Sequence, residues 1–167
     1  MKYCSECGAQ LEIRMLEGRD REVCPACGRV HYRQLKVGAA AVIEQDGMLL
    51  LLQRTHQPFA GCWNLPAGYA EADEHPAETA VREVFEEVGL HVEAEALLGL
   101  YFFQDDPRGN GIAAVYRCRI TGGEHTTSAE TAAFRYFAPE ELPDALAGGG
   151  HDQAIMAWRD GARPSAR

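Results

Sequence analysis

Three carboxylates stand at a spacing that can do chemistry. They are Glu83, Glu86 and Glu87, in the run Arg82-Glu83-Val84-Phe85-Glu86-Glu87. On a helix, residues three and four apart are neighbours, so these three share one side. Ala77, Ala80, Val81, Val84, Phe85 and Val88 fall on the other. That pattern predicts one face buried against a core and one face presenting carboxylates. Crowded carboxylates repel each other. The cluster is tolerable in water, or when hard divalent cations, which take oxygen ligands, neutralise it. A solvated acidic face is the alternative, and most charge runs are that. Arg82 weighs against it, standing four residues before Glu86 and four after Glu78, where it can orient carboxylates.

The flanking residues supply elements to hold this helix. Pro76 suits a first helical position, which makes His75 the N-cap. Glu78 is then half of a capping box whose Ser/Thr partner is missing. Gly89 ends the helix, with Leu90 folding back on it. Upstream, Gly68 lacks a Cβ, which permits a tight turn and close approach of its carbonyl to a metal. Val37–Ile43 reads as a buried strand, Asp46-Gly47 as a hairpin turn and Met48–Leu52 as the returning strand. Arg54 follows at its end; it is either a surface ion pair or a phosphate contact, for which a guanidinium is well shaped. Gln57 to Trp63 is a loop. Phe59, Trp63 and Tyr69 can stack a nucleobase or simply pack. Leu97–Gln104 and Ile112–Ile120 read as strands across a turn at Asp105–Gly111. Thr121–Thr131 is a polar loop, and Phe134–Ala138 a short strand. Pro139–Leu142 starts a helical turn, and His151–Asp160 is a helix packing Ile155 and Trp158. Strands with helices on both faces give an α/β sandwich.

A second set of ligand-type residues opens the chain. Cys4-x2-Cys7 and Cys24-x2-Cys27 are each followed by glycine, Gly8 and Gly28, and sixteen residues separate the pairs. This spacing matches a tetrahedral Cys4 zinc site, structural because four sulfurs leave no open position. Two disulfides are the alternative, disfavoured in a reducing cytosol. Leu11–Val23 is too short and mixed to build a core, so zinc would supply its folding energy. Val30–Lys36 reads as a linker. The expected division is a zinc ribbon at 1–34 and a catalytic domain at 35–167. Cys62 and Cys118 are expected to be free, buried or partly buried thiols.

Composition narrows the partners. The 167 residues carry a net charge of −9. It is uneven: residues 1–36 hold seven Lys/Arg against five Asp/Glu, and residues 37–167 hold nine against twenty. An acidic catalytic part disfavours nucleic acid and anionic membranes and favours metal recruitment. No apolar run approaches transmembrane length, and the start lacks the regions of a signal peptide, so a cytoplasmic protein is expected.

The residues Gly68, Glu74, Arg82, Glu83, Val84, Glu86, Glu87, Gly89 and Leu90 fit G-x5-E-x7-R-E-U-x-E-E-x-G-U, with U aliphatic. This is the Nudix box, and residues 37–160 resemble the Nudix hydrolases. The resemblance implies an α/β/α sandwich with a mixed sheet, and hydrolysis of a nucleoside diphosphate linked to another moiety. It implies Mg²⁺ or Mn²⁺ on Glu83, Glu86, Glu87 and the Gly68 carbonyl. Arg82 would orient the carboxylates, and Glu74 would be structural. Glu130, seven residues before Phe137, stands where many members place a further metal ligand or base; a second acid often found nearby is Ala133 here. The ribbon resembles that of bacterial NADH pyrophosphatases, but their SQPWPFPxS signature is missing from Gly99–Pro107. The segment from Trp63 to Tyr69, W-x-LPAGY, is more similar to a zinc-ribbon group that includes plant FAD pyrophosphatases. FAD, ADP-ribose or NADH-like substrates are therefore expected, bound by Arg54, Phe59, Trp63 and Tyr69. A triphosphate house-cleaning or decapping hydrolase is the alternative enzyme, and a ligand-sensing adaptor the alternative without catalysis. Homodimerisation is left open.

Overall fold

A computed structural model describes residues 2–126 and 128–161. The chain forms two compact units, Met1–Gln34 and Leu35–Arg167.

In the first unit, Gly8 and Gly28 adopt positive φ and donate back to the Cys4 and Cys24 carbonyls, each at 2.9 Å. Both are knuckle turns. Between them β1 (Glu12–Leu16) and β2 (Arg19–Val23) form an antiparallel hairpin, turned by Glu17-Gly18 at φ 51° and 75°. Two successive positive φ values match the twist of a tight hairpin. β3 (Val30–His31) pairs with β2, so these two residues belong to the ribbon and not to the expected linker.

In the second unit, β4 (Lys36–Gln45) and β5 (Met48–Arg54) turn at Asp46-Gly47. β6 (Trp63–Asn64) pairs with β5, and β7 (Ala67–Tyr69) with β4. Then come α1 (Pro76–Val88), β8 (Leu90–Phe103), β9 (Gly111–Gly123), β10 (Thr131–Phe137) and α2 (His151–Arg159). The main strand order is β10-β5-β4-β9-β8. β4 and β9 are parallel; the other neighbours are antiparallel.

Alternation along β4 and β5 builds two cores. Ala40, Val42, Leu49 and Leu51 pack on one face with Ile155 of α2. Ala41, Ile43, Leu50 and Leu52 pack on the other with Val84 and Val88 of α1. A period of two on a strand sends successive side chains to opposite faces. Each fully buried leucine contributes roughly 1.5–3 kcal/mol. The result is the expected α/β/α sandwich with a mixed sheet. Ile155 is fully buried and Trp158 packs at the margin of its core. Cys118 is buried and Cys62 half-buried, both as free thiols.

Candidate active site and thiol cluster

α1 begins and ends as its sequence dictates, with one difference. His75 is the N-cap: its Nδ1 accepts from the Ala77 N–H at 3.2 Å. Glu78 Oε2 accepts from the His75 N–H at 2.9 Å. The capping box is therefore complete, with an imidazole nitrogen in place of the hydroxyl. Gly89 closes the helix at φ 73° and donates to the Phe85 carbonyl. Leu90 enters β8 directly, so the helix is clamped between two strands.

The three carboxylates do not share one exposure. Glu86 is exposed, Glu83 is half-buried and Glu87 is buried. The buried side of the helix includes Thr79, Ala80, Val84, Glu87 and Val88. Phe85, expected inside, is 52% exposed and stacks on His91. Glu87 Oε2 accepts from the Ala67 N–H at 3.0 Å. Burial pushes the Glu87 carboxyl up to about 8, and the charges of Glu83 and Glu130 add to this. Burial likewise raises Glu83, against the lowering effect of Arg82.

Arg82 organises the rest. Nε and Nη2 hold the two oxygens of Glu74 at 2.8 and 3.0 Å. Nη1 donates to Glu83 at 2.7 Å and Glu86 at 3.0 Å, and Nη2 also to the Tyr69 carbonyl at 3.2 Å. Five contacts match the five donors of a guanidinium. Glu74 also takes the Thr79 hydroxyl at 2.7 Å. Its pairing, first with Arg82 and then with Thr79, holds its carboxyl down to about 2. Gly68 lies opposite Ala39 in the β7–β4 ladder. A Cβ there would overlap the Glu83 carboxylate, so any side chain at this position would displace that acid.

These carboxylates line one wall of a cavity of about 520 Å³. Glu130, in the turn before β10, lines it too, as do Arg54, Phe59 and Tyr69. Trp63 does not. It packs edge-on against Phe137 at 4.8 Å, and its backbone bonds Ala145 and Ala147. The expectation that Trp63 stacks a base is thus corrected: it is an anchor in the core. The Tyr69 ring carries Lys36 Nζ at 4.9 Å and Arg108 Cζ at 5.1 Å from its centroid, and its hydroxyl donates to Asp106. Cations therefore already occupy its ring. Of the three expected aromatics Phe59 is the one left to the cavity, held at a positive φ of 68°; Phe103, from β8, lines it too.

Sequence reasoning missed Asp106, Arg108 and His151, which also line the cavity. Arg108 chelates buried Asp106 at 2.6–3.1 Å. An acid and a base two residues apart in a Pro/Gly turn was the available signal for this pair; nothing local marks His151.

The two candidate metal centres differ in readiness. Cys4, Cys7, Cys24 and Cys27 place their sulfurs within 4.8 Å of one another. The Cys27 N–H points at Cys24 Sγ, and this hydrogen bond leads in lowering that thiol to about 6. The donor set fits zinc, which takes thiolates. Among the described residues no three carboxylates gather as closely. Yet a buried carboxyl raised to about 8 beside a second raised one is a site short of positive charge, and it fits hard cations.

Comparison with known proteins agrees with this geometry. Residues 32–158 match the NUDIX domain family, and residues 2–33 match the family described as Nudix N-terminal. The chain belongs to the Nudix hydrolase family, in its form with an N-terminal zinc-ribbon domain. It is 35% identical over 134 residues to the ADP-ribose pyrophosphatase of Methanocaldococcus jannaschii, covering 78% of each chain. It is 29% identical over 144 residues to the NAD-capped RNA hydrolase NudC of Stutzerimonas stutzeri, covering 86% of this chain and 46% of that one. Among solved structures it resembles a NUDIX hydrolase from Nitrosomonas europaea, with a TM-score of 0.82 and 30% identity, over 98% of this chain and 95% of that one. Among the described residues no helix is long and apolar enough to cross a membrane.

Proposed function

We propose that this chain is a divalent-metal-dependent pyrophosphohydrolase of nucleoside diphosphates linked to a second moiety, with ADP-ribose first and FAD second. The observation that carries this is one cavity with carboxylates on one wall and Arg54 and Phe59 among its other residues. Glu83, Glu86, Glu87 and the Gly68 carbonyl would hold Mg²⁺ or Mn²⁺, with Glu130 in reach. Such ions would supply positive charge to the phosphates and make the attacking water more acidic. Arg82, which holds Glu83 and Glu86, would orient these two carboxylates for the ion. Arg54 offers its guanidinium to phosphate oxygens. Glu130 takes the proton of the attacking water, with Glu87 as the second candidate for that role. The water oxygen bonds to phosphorus, the bridging P–O bond breaks, and AMP leaves with a phosphorylated partner. Cys4, Cys7, Cys24 and Cys27 would hold a structural zinc.

The ADP-ribose preference rests on the similarity to the Methanocaldococcus enzyme's sequence. FAD rests on the W-x-LPAGY segment. The acidic excess of residues 37–167 supports a small-molecule substrate in the cytoplasm over a polyanionic one. ADP-ribose, FAD, NADH and dGTP, compared at equal concentration with Mg²⁺ or Mn²⁺, test the reading. ADP-ribose or FAD is expected to show the highest kcat/KM, with AMP among the products. If dGTP wins and releases pyrophosphate, a house-cleaning hydrolase replaces this reading.

A further inference from the structure

Most polar side chains around the cavity spend their hydrogen bonds on one another. The Tyr69 hydroxyl and the Arg108 guanidinium serve Asp106. Glu83 and Glu86 serve Arg82. Among the described residues, Glu130, already proposed as the base, and two further polar groups remain to meet a ligand. One is Arg54, whose only side-chain bond is from Nε to the Pro58 carbonyl at 3.1 Å. The other is Nδ1 of His151, which lies buried with no hydrogen-bond partner. Arg54 suits an anion. His151 does not: burial, with the charge of Arg54, pushes it down to about 4. It is a neutral imidazole at pH 7, able to offer one donor and one acceptor nitrogen. An orphaned buried polar atom is unfavourable unless a ligand satisfies it.

Its surroundings indicate what that ligand is. His151 opens α2, directly after Gly148-Gly149-Gly150. The loop is pinned by bonds from Trp63 N to Ala145 O and from Ala147 N to Trp63 O, both 2.8 Å, and by the Gly149 N–H on the Asp105 carboxylate. A Cβ at Gly148 would overlap Asp105 and come within 2.9 Å of Phe59 Cζ. The Phe59 ring therefore lies against bare backbone three residues before His151, and both residues line the cavity. Phe59 holds the left-handed region, unusual for a bulky side chain and a mark of functional sites. A flat apolar ring and a neutral hydrogen-bonding nitrogen in one cavity suit a planar heteroaromatic group, whose face stacks and whose edge is polar.

We infer that His151 is a specificity-determining residue whose Nδ1 hydrogen-bonds the edge of the substrate's nucleobase, held against Phe59 over Gly148. This rests on the nucleoside diphosphate reading above. The test measures binding of AMP and of ribose 5-phosphate by calorimetry, with H151F and H151N beside the wild type. H151F keeps a flat ring and removes the nitrogen; H151N can restore an amide near Nδ1. AMP affinity is expected to fall about tenfold in H151F, recover largely in H151N, and ribose 5-phosphate to bind all three alike. Imidazole ¹⁵N NMR of the wild type gives the same answer without a variant: AMP moves the His151 Nδ1 resonance and ribose 5-phosphate leaves it in place. An unchanged AMP affinity in H151F, equal losses for both ligands, or an unmoved Nδ1 resonance overturns the inference. If the wild type cleaves ADP-ribose while any of these holds, only the role of His151 falls. If it neither cleaves a nucleoside diphosphate derivative nor binds AMP, the functional reading falls with it.

Discussion

The two candidate metal centres in this chain are built in opposite ways. In the ribbon, four thiols stand within 4.8 Å of one another, on two glycine knuckles with backbone already in place. In the hydrolase unit, the acids are each taken up by internal partners. Glu83 and Glu86 lie on Arg82, and Glu87 on the Ala67 amide. Thiols lose little by lying close together while protonated. Ionised carboxylates repel, and Arg82 supplies the charge that a cation would. A structural site is closed and assembled for good, whereas a catalytic one must exchange ligands as substrate comes and goes.

Removing one ligand from each centre should separate these designs. The largest effect is expected in the ribbon. Its strands bury little apolar surface: every residue of β1 is exposed, and Val23 is the buried apolar residue of β2. Zinc-finger metal binding is worth about 10–16 kcal/mol, enough to fold such a unit outright. Cys24→Ser should therefore lose the zinc and leave residues 2–33 open to limited proteolysis. Elemental analysis should find about one equivalent of zinc in the wild type and much less in the variant. A C24S protein that keeps both its zinc and its protease resistance would put the folding energy elsewhere.

The acids should respond in two ways. Glu86 is exposed, so Glu86→Gln should leave melting unchanged while turnover falls by about 10²–10³-fold, the usual cost of one preorganised charge. Glu87 is buried and raised to about 8, against 4.5 for an ordinary glutamate. Between these values the folded protein holds a proton that the unfolded chain releases. Stability is therefore lost as pH rises from 4.5 to 8, by about 1.4 kcal/mol per unit at most. Glu87→Gln escapes this loss. With chelator present it should melt several degrees above the wild type at pH 8 and level with it at pH 4, while losing turnover at both. Equal melting at pH 8 would mean that Glu87 ionises normally.

The difference between the centres also explains what could be read in the sequence. The cysteines, the box, the caps of α1 and the alternation of β4 and β5 are local patterns, and local patterns survive in a string of letters. The β1–β2 hairpin was not legible because only β1 alternates, Glu12-Ile13-Arg14-Met15, while β2 opens Arg19-Asp20-Arg21-Glu22 with no apolar residue to match. A helical wheel gave the face of Glu83, Glu86 and Glu87 but not its depth, which depends on what packs over each acid, as the Ala67 backbone does over Glu87. Trp63 looked available for stacking because Phe137, the ring it packs on, is 74 residues away. Asp106, Arg108 and His151 meet the box only through the fold.

Glu74 gives the finest test, because it touches neither proposed metal nor substrate. It holds Arg82 through both oxygens, and Arg82 in turn holds Glu83 and Glu86. Glu74→Gln keeps the shape but removes the charge opposite the guanidinium. Arg82 should then bind Glu83 and Glu86 more tightly and yield them to metal less readily. The expected result is a raised Mg²⁺ requirement with turnover near normal once Mg²⁺ saturates, within the 10–100-fold range for residues behind metal ligands. Stability adds an independent reading. Glu74 is held down to about 2, below its ordinary 4.5, so its pairing stabilises the fold above pH 4.5 and that contribution fades as pH falls toward 2. Melting curves of wild type and variant should thus lie apart at pH 6 and converge by pH 2–3. Were the gap constant across that range, the loss would be one of packing, and Glu74 would not be acting through its charge on Arg82.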